Sequence, residues 1–284
     1  MKLLVTGGLG FVGSTLVDRL VKLGNEVTVI DNLSSTSSSK NNKNDAATYI
    51  IDDIRNINQI DFDEHFKVIY HLAGLARIQP SFENPLAYVE VNIGGTAIIC
   101  ELAKNHNAKL IYSSSSSINN GKHKTPYTFS KWGGEAVLKT WKECYNLNAS
   151  ICRFYNVYGP REPKTGDYAT VIRKFIRQYE SKEPLTIVGD GEQRRDFTHV
   201  SDIAEGLIKV ASHNQNDLFH LGRGINYSIN ELASMFKYDN IQHIPLRKGE
   251  GLVTLADYQK TFTKLGWEAT YNLEDYIKKT IQCM

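Results

Sequence analysis

The sequence is poor in the features that mark secreted, membrane and metal-binding proteins. It has only four cysteines, at positions 100, 144, 152 and 283, and none has the CxxC or Cys/His spacing of a zinc site. We expect reduced and mostly buried thiols, with no metal. No apolar run approaches the roughly 20 residues that span a bilayer, and no signal-peptide pattern follows the N-terminus. We therefore expect a cytoplasmic protein without a membrane partner.

Charge of either sign is also not in excess. Lys and Arg total 33 and Asp and Glu total 31, which leaves a net charge of +2. This balance gives no case for a nucleic-acid partner, so any anion must bind at a local site. The 284 residues, 41% of them hydrophobic, suffice for one large domain or for one domain with a smaller lobe.

Short β-rich runs alternate with helical patterns in the first half of the chain. This alternation indicates a parallel sheet covered on both faces, an α/β fold of the Rossmann-type doubly wound class. The predicted strands are 2–5, 26–30, 67–71, 109–112 and 150–154, and the predicted helices are 10–23, 86–106 and 127–146. The polar tract 33–44 reads as a surface loop.

The pattern becomes less regular after residue 160, where we predict a helix at 171–179 and a strand at 185–188. We interpret this part as a smaller mixed α/β lobe over the carboxyl edge of the sheet. Residues 1–160 would form the main domain, 196–222 would return to it, and 161–284 would mainly form the lobe that binds the substrate.

A glycine-rich loop follows the first predicted strand. Gly7 permits a tight turn, Gly10 lets the backbone approach a pyrophosphate, and Gly13 lets the following helix pack closely. The N-terminus of that helix offers free N–H groups to phosphates. Asp31 ends the second strand, where a carboxylate accepts hydrogen bonds from the adenosine ribose and repels a 2′-phosphate. The pattern predicts NAD rather than NADP, and an ordinary βαβ turn is the alternative.

Tyr127 and Lys131 lie one helical turn apart, on one face of a predicted helix. An ammonium group near the phenol would lower the pKa of Tyr127 from ~10 towards neutrality. Such a tyrosine can take a proton from a sugar hydroxyl, while Lys131 holds the nicotinamide ribose. An exposed helical pair is the alternative. The serine run 113–117 favours catalysis, because it ends a central strand where the ligand crevice of such sheets lies.

Together these motifs resemble the extended short-chain dehydrogenases, in particular the nucleotide-sugar epimerases of the UDP-galactose 4-epimerase kind. The resemblance covers nearly the whole chain. Its pieces are TGGLGFVG at 6–13, Asp31-Asn32, Asp53-Ile54, HLAG at 71–74, Asn92 in VNIGGT, the serine run, YTFSK at 127–131, RFYNVYGPR at 153–161, GDGEQRRDF at 189–197 and RKGE at 247–250.

The resemblance implies roles for individual residues. Ser115 falls at the family's catalytic Ser or Thr, beside Tyr127 and Lys131. The residues implied to surround NAD are Gly7, Gly10, Phe11, Val12, Asp31, Asn32, Asp53, Ile54, Leu72, Ala73, Gly74, Asn92, Ser113, Tyr127, Lys131 and Tyr155. Asn156, Arg195 and Arg247 would bind the nucleotide diphosphate, with Arg194 as an alternative to Arg195.

The implied activity is 4-epimerisation of a nucleotide sugar, with UDP favoured as the nucleotide, through a transient 4-keto sugar. Related dehydratases have an Asp and a Glu where this chain has Ser116 and Ser117, which disfavours loss of water. The segment 118–126 is short for the family and leaves open a wider pocket or reduction of a 4-keto sugar. A non-catalytic member that only binds NAD is a third alternative.

Two further expectations concern the substrate and the assembly. Thr254 stands where family epimerases have a bulky tyrosine that blocks N-acetylated sugars, so an N-acetylhexosamine would fit here. The resemblance also implies a homodimer, formed through the helices at 86–106 and 127–146.

Overall fold

A seven-stranded sheet forms the centre of the computed structural model, which describes residues 1–35, 39–60, 62, 65–164, 166 and 168–284. Its strands are β1 Lys2–Thr6, β2 Glu26–Ile30, β3 Thr48–Ile50, β4 Val68–His71, β5 Lys109–Ser115, β6 Ala149–Phe154 and β11 Leu218–Leu221. The strand order is β11-β6-β5-β4-β1-β2-β3, and all pairings are parallel. The predicted doubly wound class is thereby confirmed. Residues 36–38 of the polar tract lie outside the described residues.

Helices cover both faces of this sheet. Helices α1 Phe11–Lys22 and α7 Val200–Ser212 pack on one face, and α4 Thr96–Asn105 and α5 Pro126–Tyr145 pack on the other. Side chains alternate along a strand, so Leu3 and Val5 of β1 enter the first core while Leu4 enters the second. All three are buried. A strand buried on both faces must be apolar throughout, which is why its sequence is a continuous apolar run.

The predicted helix at 86–106 is a continuous helical run in three parts. Helix α3 Pro85–Val89 leads through a π-helical stretch, Glu90–Gly95, into α4. By length and composition alone, the run Pro85–Asn105 is long and apolar enough to cross a membrane. No such run was expected from the sequence. Of its most apolar window, 44% is buried inside the protein, and the core helix of a soluble protein passes the same test. The absence of a membrane partner stays a prediction.

The rest of the chain builds a smaller lobe with its own core. Phe175, Leu185, Phe197 and Phe236 are buried together there. The remaining elements are α2 Gln79–Glu83, β7 Val157–Tyr158, α6 Val171–Glu180, β8 Leu185–Val188, β9 Arg194–Asp196, β10 Thr198–His199, β12 Asn226–Ser228, α8 Ile229–Ser234, β13 Ile241–Ile244, α9 Gln259–Leu265 and α10 Leu273–Gln282. Within 196–222, α7 packs on the large sheet and β11 pairs with β6. The division into domains stays a prediction.

All four cysteines are free thiols. Cys100 and Cys152 are buried, whereas Cys144 and Cys283 are exposed. The expectation of burial is therefore wrong for the last two, which lie near the ends of α5 and of the chain. Among the described residues, no group of three His, Cys, Asp or Glu side chains could hold a metal ion.

Candidate active site

A cleft of about 770 Å³ opens at the carboxyl ends of the sheet strands and takes lining residues from both lobes. This is where ligands bind in open parallel sheets. The predicted site residues that line it are Gly7, Gly10, Phe11, Val12, Asp31, Asn32, Asp53, Ile54, Leu72, Ala73, Gly74, Ser113, Ser115, Tyr127, Lys131, Asn156, Arg195, Arg247 and Thr254. Asn92 and Tyr155 are not among the lining residues.

The glycine loop forms a cradle that a side chain would fill. Gly7 has a φ of +72°, and a Cβ there would lie 2.7 Å from the amide nitrogen of Ala73. A Cβ on Gly13 would lie 2.1 Å from the carbonyl oxygen of Gly7. Gly10 is the N-cap of α1, so free N–H groups of the first turn face the cleft. The loop therefore has room and donors for a pyrophosphate.

Carboxylates lie at the end of this cradle. Asp31 is buried and accepts hydrogen bonds from the backbone N–H groups of Leu9 (3.0 Å) and Leu33 (2.8 Å), which fix its orientation. Asp53 accepts from Asn32 Nδ2 at 2.8 Å and from Arg55 Nε at 2.9 Å. The hydrogen bonds and charge of Arg55 lower the pKa of Asp53 to about 2. Negative charge here fits a ribose with free hydroxyls and disfavours a 2′-phosphate.

Tyr127 lies in the first turn of α5. The hydroxyl of Thr125 caps this helix by accepting from Thr128 N at 3.0 Å, and Pro126 occupies the first helical position. Burial raises the pKa of Tyr127, and a hydrogen bond with Ser115 and the charge of Arg77 only partly oppose this effect. The sequence expectation of a lowered pKa is therefore wrong for the protein without ligands.

Lys131 is hydrogen-bonded to the backbone at the end of β5. Its Nζ donates to the carbonyl oxygen of Ser113 at 3.0 Å and lies 5.4 Å from the ring centre of Tyr112. The ammonium group is thus directed at the end of β5 rather than at the phenol of Tyr127. Burial lowers the pKa of Lys131 to about 8, since an apolar environment disfavours the charged form of an amine.

The serine run divides between two elements. Residues 113–115 end β5, and Ser116 begins the short 3₁₀ helix Ser116–Asn120. Ser113 Oγ donates to the carbonyl of His71 (2.9 Å), and Ser114 Oγ donates to the buried carboxylate of Glu135 (2.6 Å). Ser115 accepts from Ser117 N at 3.2 Å and also reaches Tyr127. Its hydroxyl can therefore meet a substrate oxygen held at Tyr127.

A second charged group of residues lies where the smaller lobe faces the cleft. Arg195 lines the cleft and donates from Nη2 to Glu250 at 3.2 Å. Arg194 is not a lining residue, because its guanidinium is held by Asn226 (2.9 Å) and Glu231 (2.9 Å). Of the two neighbouring arginines that the sequence left open, Arg195 is the one placed to meet a diphosphate.

We expect Arg195→Gln to weaken the binding of UDP by about tenfold to a hundredfold, the value of a charge-assisted hydrogen bond. Isothermal titration calorimetry measures this change. Arg194→Gln is the matched control and should change the affinity less than about twofold, because its partners lie outside the cleft. The assignment would be reversed if Arg194→Gln showed the larger loss.

Comparison with known sequences gives the family. Residues 3–222 match the NAD dependent epimerase/dehydratase family. The chain belongs to this family. NAD is accordingly its cofactor, and the glycine cradle and Asp31 are the parts of the cleft that fit it. The predicted resemblance and the predicted cofactor are both confirmed.

Individual relatives cover nearly the whole of this family member. It is 32% identical to UDP-glucuronate 4-epimerase of Thermodesulfobacterium geofontis over 98% of this chain and 94% of the relative. It is 30% identical to UDP-glucuronic acid decarboxylase 1 of Danio rerio over 99% of this chain and 72% of the relative. The crystal structure of Thermotoga maritima UDP-glucose 4-epimerase with UDP-glucose is 31% identical, with a TM-score of 0.94, over 99% and 98% of the two chains.

Two residues that the sequence predicts as cofactor contacts of this family member do not line the cleft. Tyr155 is fully buried behind the cleft, where its hydroxyl bonds with Asn119 (3.0 Å) and His220 (2.6 Å). It follows Phe154 and precedes Asn156, which do line the cleft, and successive side chains of an extended segment point to opposite sides. Asn92 is also buried and pairs with both the N–H and the carbonyl of Leu75. It shapes the cleft wall from behind.

Five charged residues that line the cleft were not among the predicted site residues: Asp52, Arg55, Arg77, Lys174 and Glu250. Arg55 directly follows the Asp53-Ile54 motif, and Glu250 is the last residue of the RKGE motif, three residues after Arg247. Arg77 follows the HLAG motif by three residues, and its place in the cleft depends on a left-handed backbone (φ +84°) that the sequence does not reveal.

Proposed function

We propose that this protein is a UDP-sugar 4-epimerase that acts through a transient 4-keto sugar. The observation that carries the proposal is the meeting of Ser115, Tyr127 and Lys131 in the same cleft as the glycine cradle and Arg195. A proton acceptor, a dinucleotide cradle and a diphosphate anchor thus share one volume. The names of the relatives, which include epimerases of UDP-sugars, support the same activity.

The roles of the residues follow from their positions. NAD, held by the glycine cradle and Asp31, would supply reversible oxidation and reduction at C4 of the sugar. Tyr127 accepts the proton of O4 and gives it back, which requires that the positive nicotinamide of bound NAD offset the burial that raises the pKa of this tyrosine in the protein without ligands, and Ser115 holds the same oxygen. Lys131, fixed by the carbonyl of Ser113, orients the nicotinamide ribose. Arg195 and the exposed Arg247 hold the diphosphate while the keto sugar turns its other face.

The proposed substrate is a UDP-hexose or a UDP-N-acetylhexosamine. Thr254 supports the larger sugar because this lining residue is small and its hydroxyl is already hydrogen-bonded within the protein. Its Oγ1 accepts from Asn156 Nδ2 at 2.9 Å and from the backbone N–H of Asp196 at 3.2 Å. A bulky side chain at this position would extend into the space beside Asn156.

We further propose a cytoplasmic homodimer. Apolar side chains stay exposed on the two helices from which the sequence predicts the interface: Leu86 is 73% exposed, Val89 38% and Phe129 38%. Large apolar side chains exposed on these helices support a contact with another chain. The free thiols support a reducing compartment.

The test is a proton NMR assay of the purified protein with UDP-glucose, UDP-glucuronate and UDP-N-acetylglucosamine, without added cofactor. We expect the matching 4-epimer from at least one of them, with no net formation or consumption of NADH. Net consumption of NADH with a 4-keto sugar would instead indicate the reductase. Release of CO₂ from UDP-glucuronate would indicate a decarboxylase, and either result would contradict the proposal.

A further inference from the structure

Arg77 places a positive charge beside the reacting end of the cleft. The residue lines the cleft and its guanidinium interacts electrostatically with Tyr127. Its Nε donates to the carbonyl oxygen of Tyr168 at 3.0 Å, which fixes the plane of the guanidinium. Its backbone is left-handed, with a φ of +84°, a conformation that costs free energy for any residue other than glycine.

Among the described residues, Arg77 differs from two other cleft arginines because no carboxylate pairs with it. Arg55 pairs with Asp53 at 2.9 Å, and Arg195 pairs with Glu250 at 3.2 Å. Glu162 is close enough to Arg77 to interact electrostatically, but its oxygens accept from Gly159 N (2.9 Å) and Thr170 Oγ1. The half-buried guanidinium of Arg77 gains free energy when a counter-charge binds to it. That counter-charge is therefore expected from the ligand.

The place of Arg77 in the cleft indicates which part of the ligand would supply the charge. If Tyr127 takes the proton of O4, then C4 of the sugar lies at Tyr127, and the substituent on the neighbouring C5 lies in the same region. The diphosphate is anchored by Arg195 and Arg247, and the pyrophosphate of the cofactor by the glycine cradle. A negative group that meets Arg77 is therefore a substituent of the sugar ring near C4.

We propose that the substrate of this protein is a UDP-hexuronate whose C5 carboxylate binds to Arg77. This inference rests on the proposed function and names the sugar on which it acts. Both terminal nitrogens of the guanidinium lack acceptors among the described residues, so they can bind the two carboxylate oxygens in parallel. A neutral hydroxymethyl group, as in UDP-glucose, leaves one charge of the pair without its partner.

Equilibrium binding tests the proposal without depending on turnover. Isothermal titration calorimetry compares UDP-glucuronate, UDP-glucose and UDP on the NAD-loaded Tyr127→Phe protein, which lacks the proton acceptor. We expect UDP-glucuronate to bind at least about tenfold more tightly than UDP-glucose, as for a charged hydrogen-bonded pair. Arg77→Gln in this background should remove the preference, and Arg77→Lys should retain part of it.

The matched control is Arg177→Gln, which removes an arginine from the exposed side of α6, where it lies 3.8 Å from Glu183. It should leave the preference unchanged. Equal affinity for the two sugars would overturn the inference. An equal loss for UDP-glucuronate and for UDP in Arg77→Gln would also overturn it, because Arg77 would then act on the nucleotide or on the fold. If this binding preference is found but the wild-type protein epimerises neither UDP-glucuronate nor UDP-glucose, only the proposed function is overturned.

Discussion

Tyr127→Phe is expected to lower kcat by about a thousandfold, the usual loss when a positioned general acid–base is removed. The change deletes only the hydroxyl, and the ring keeps its edge-on packing at 6.2 Å from Tyr88. Folding and cofactor content should therefore stay as in the wild type. Single-turnover epimerisation followed by NMR measures the loss, and the absorbance of the bound cofactor measures retention of NAD.

The matched control is Tyr145→Phe, because Tyr145 ends the same helix and is 53% exposed. Its turnover should equal that of the wild type. If Tyr127→Phe kept full activity, Tyr127 would not be the proton acceptor. A loss of bound NAD in the same variant would assign it a binding role instead.

Lys131→Met is expected to abolish activity and yet to stabilise the fold at pH 7. Burial holds the pKa of Lys131 at about 8 in the folded protein, against 10.5 for a solvated lysine. Charging it in the folded state therefore costs about 3 kcal/mol. Methionine avoids this cost but forgoes the hydrogen bond to Ser113, worth about 1 kcal/mol. The free energy of unfolding should rise by about 2 kcal/mol, as measured by urea denaturation.

The pH dependence gives the sign of this effect. Below pH 8, Lys131 is protonated in both the folded and the unfolded chain, so the wild type bears the full free-energy cost of burying the charge. Between about pH 8 and 10.5 this lysine is protonated only in the unfolded chain. The free energy of unfolding of the wild type therefore rises with pH towards that of Lys131→Met. Lys139→Met, on the exposed side of the same helix, should show no such convergence. A constant difference between Lys131→Met and the wild type across this pH range would contradict the assignment.

The main elements of the fold could be predicted from the sequence because their signals are local. Strand β2 and helix α1 each have the periodicity or the apolar run of a buried element, and the structure places them within one residue of the predicted ends. Strands β3 and β11, which form the two edges of the sheet, were not predicted, and β3 has only three residues, too few to show a pattern. Their pairing with β2 and β6 depends on contacts between distant parts of the chain.

The site was predictable where a motif fixes the backbone. Asp31 directly follows strand β2, and Tyr127 lies in the first turn of helix α5. Both residues line the cleft, as their positions relative to these predicted elements indicate. Tyr155 lies outside the cleft although its neighbours on both sides line it, because successive side chains of an extended segment point to opposite sides and the motif does not show which side faces the cleft. The pKa of Tyr127 was assigned wrongly because burial, which dominates it, is not visible in a spacing of four residues.

Strand β11 has a consequence for how the protein is synthesised. The edge of β6 is covered only when residues 218–221 have left the ribosome, and α7 closes one face of the sheet shortly before them. A nascent chain that ends at residue 160 presents β6 as an open edge, which can pair with another nascent chain. The sheet that carries the dinucleotide cradle is therefore completed late, and a protease that cuts between the lobes should not release a stable cofactor-binding fragment.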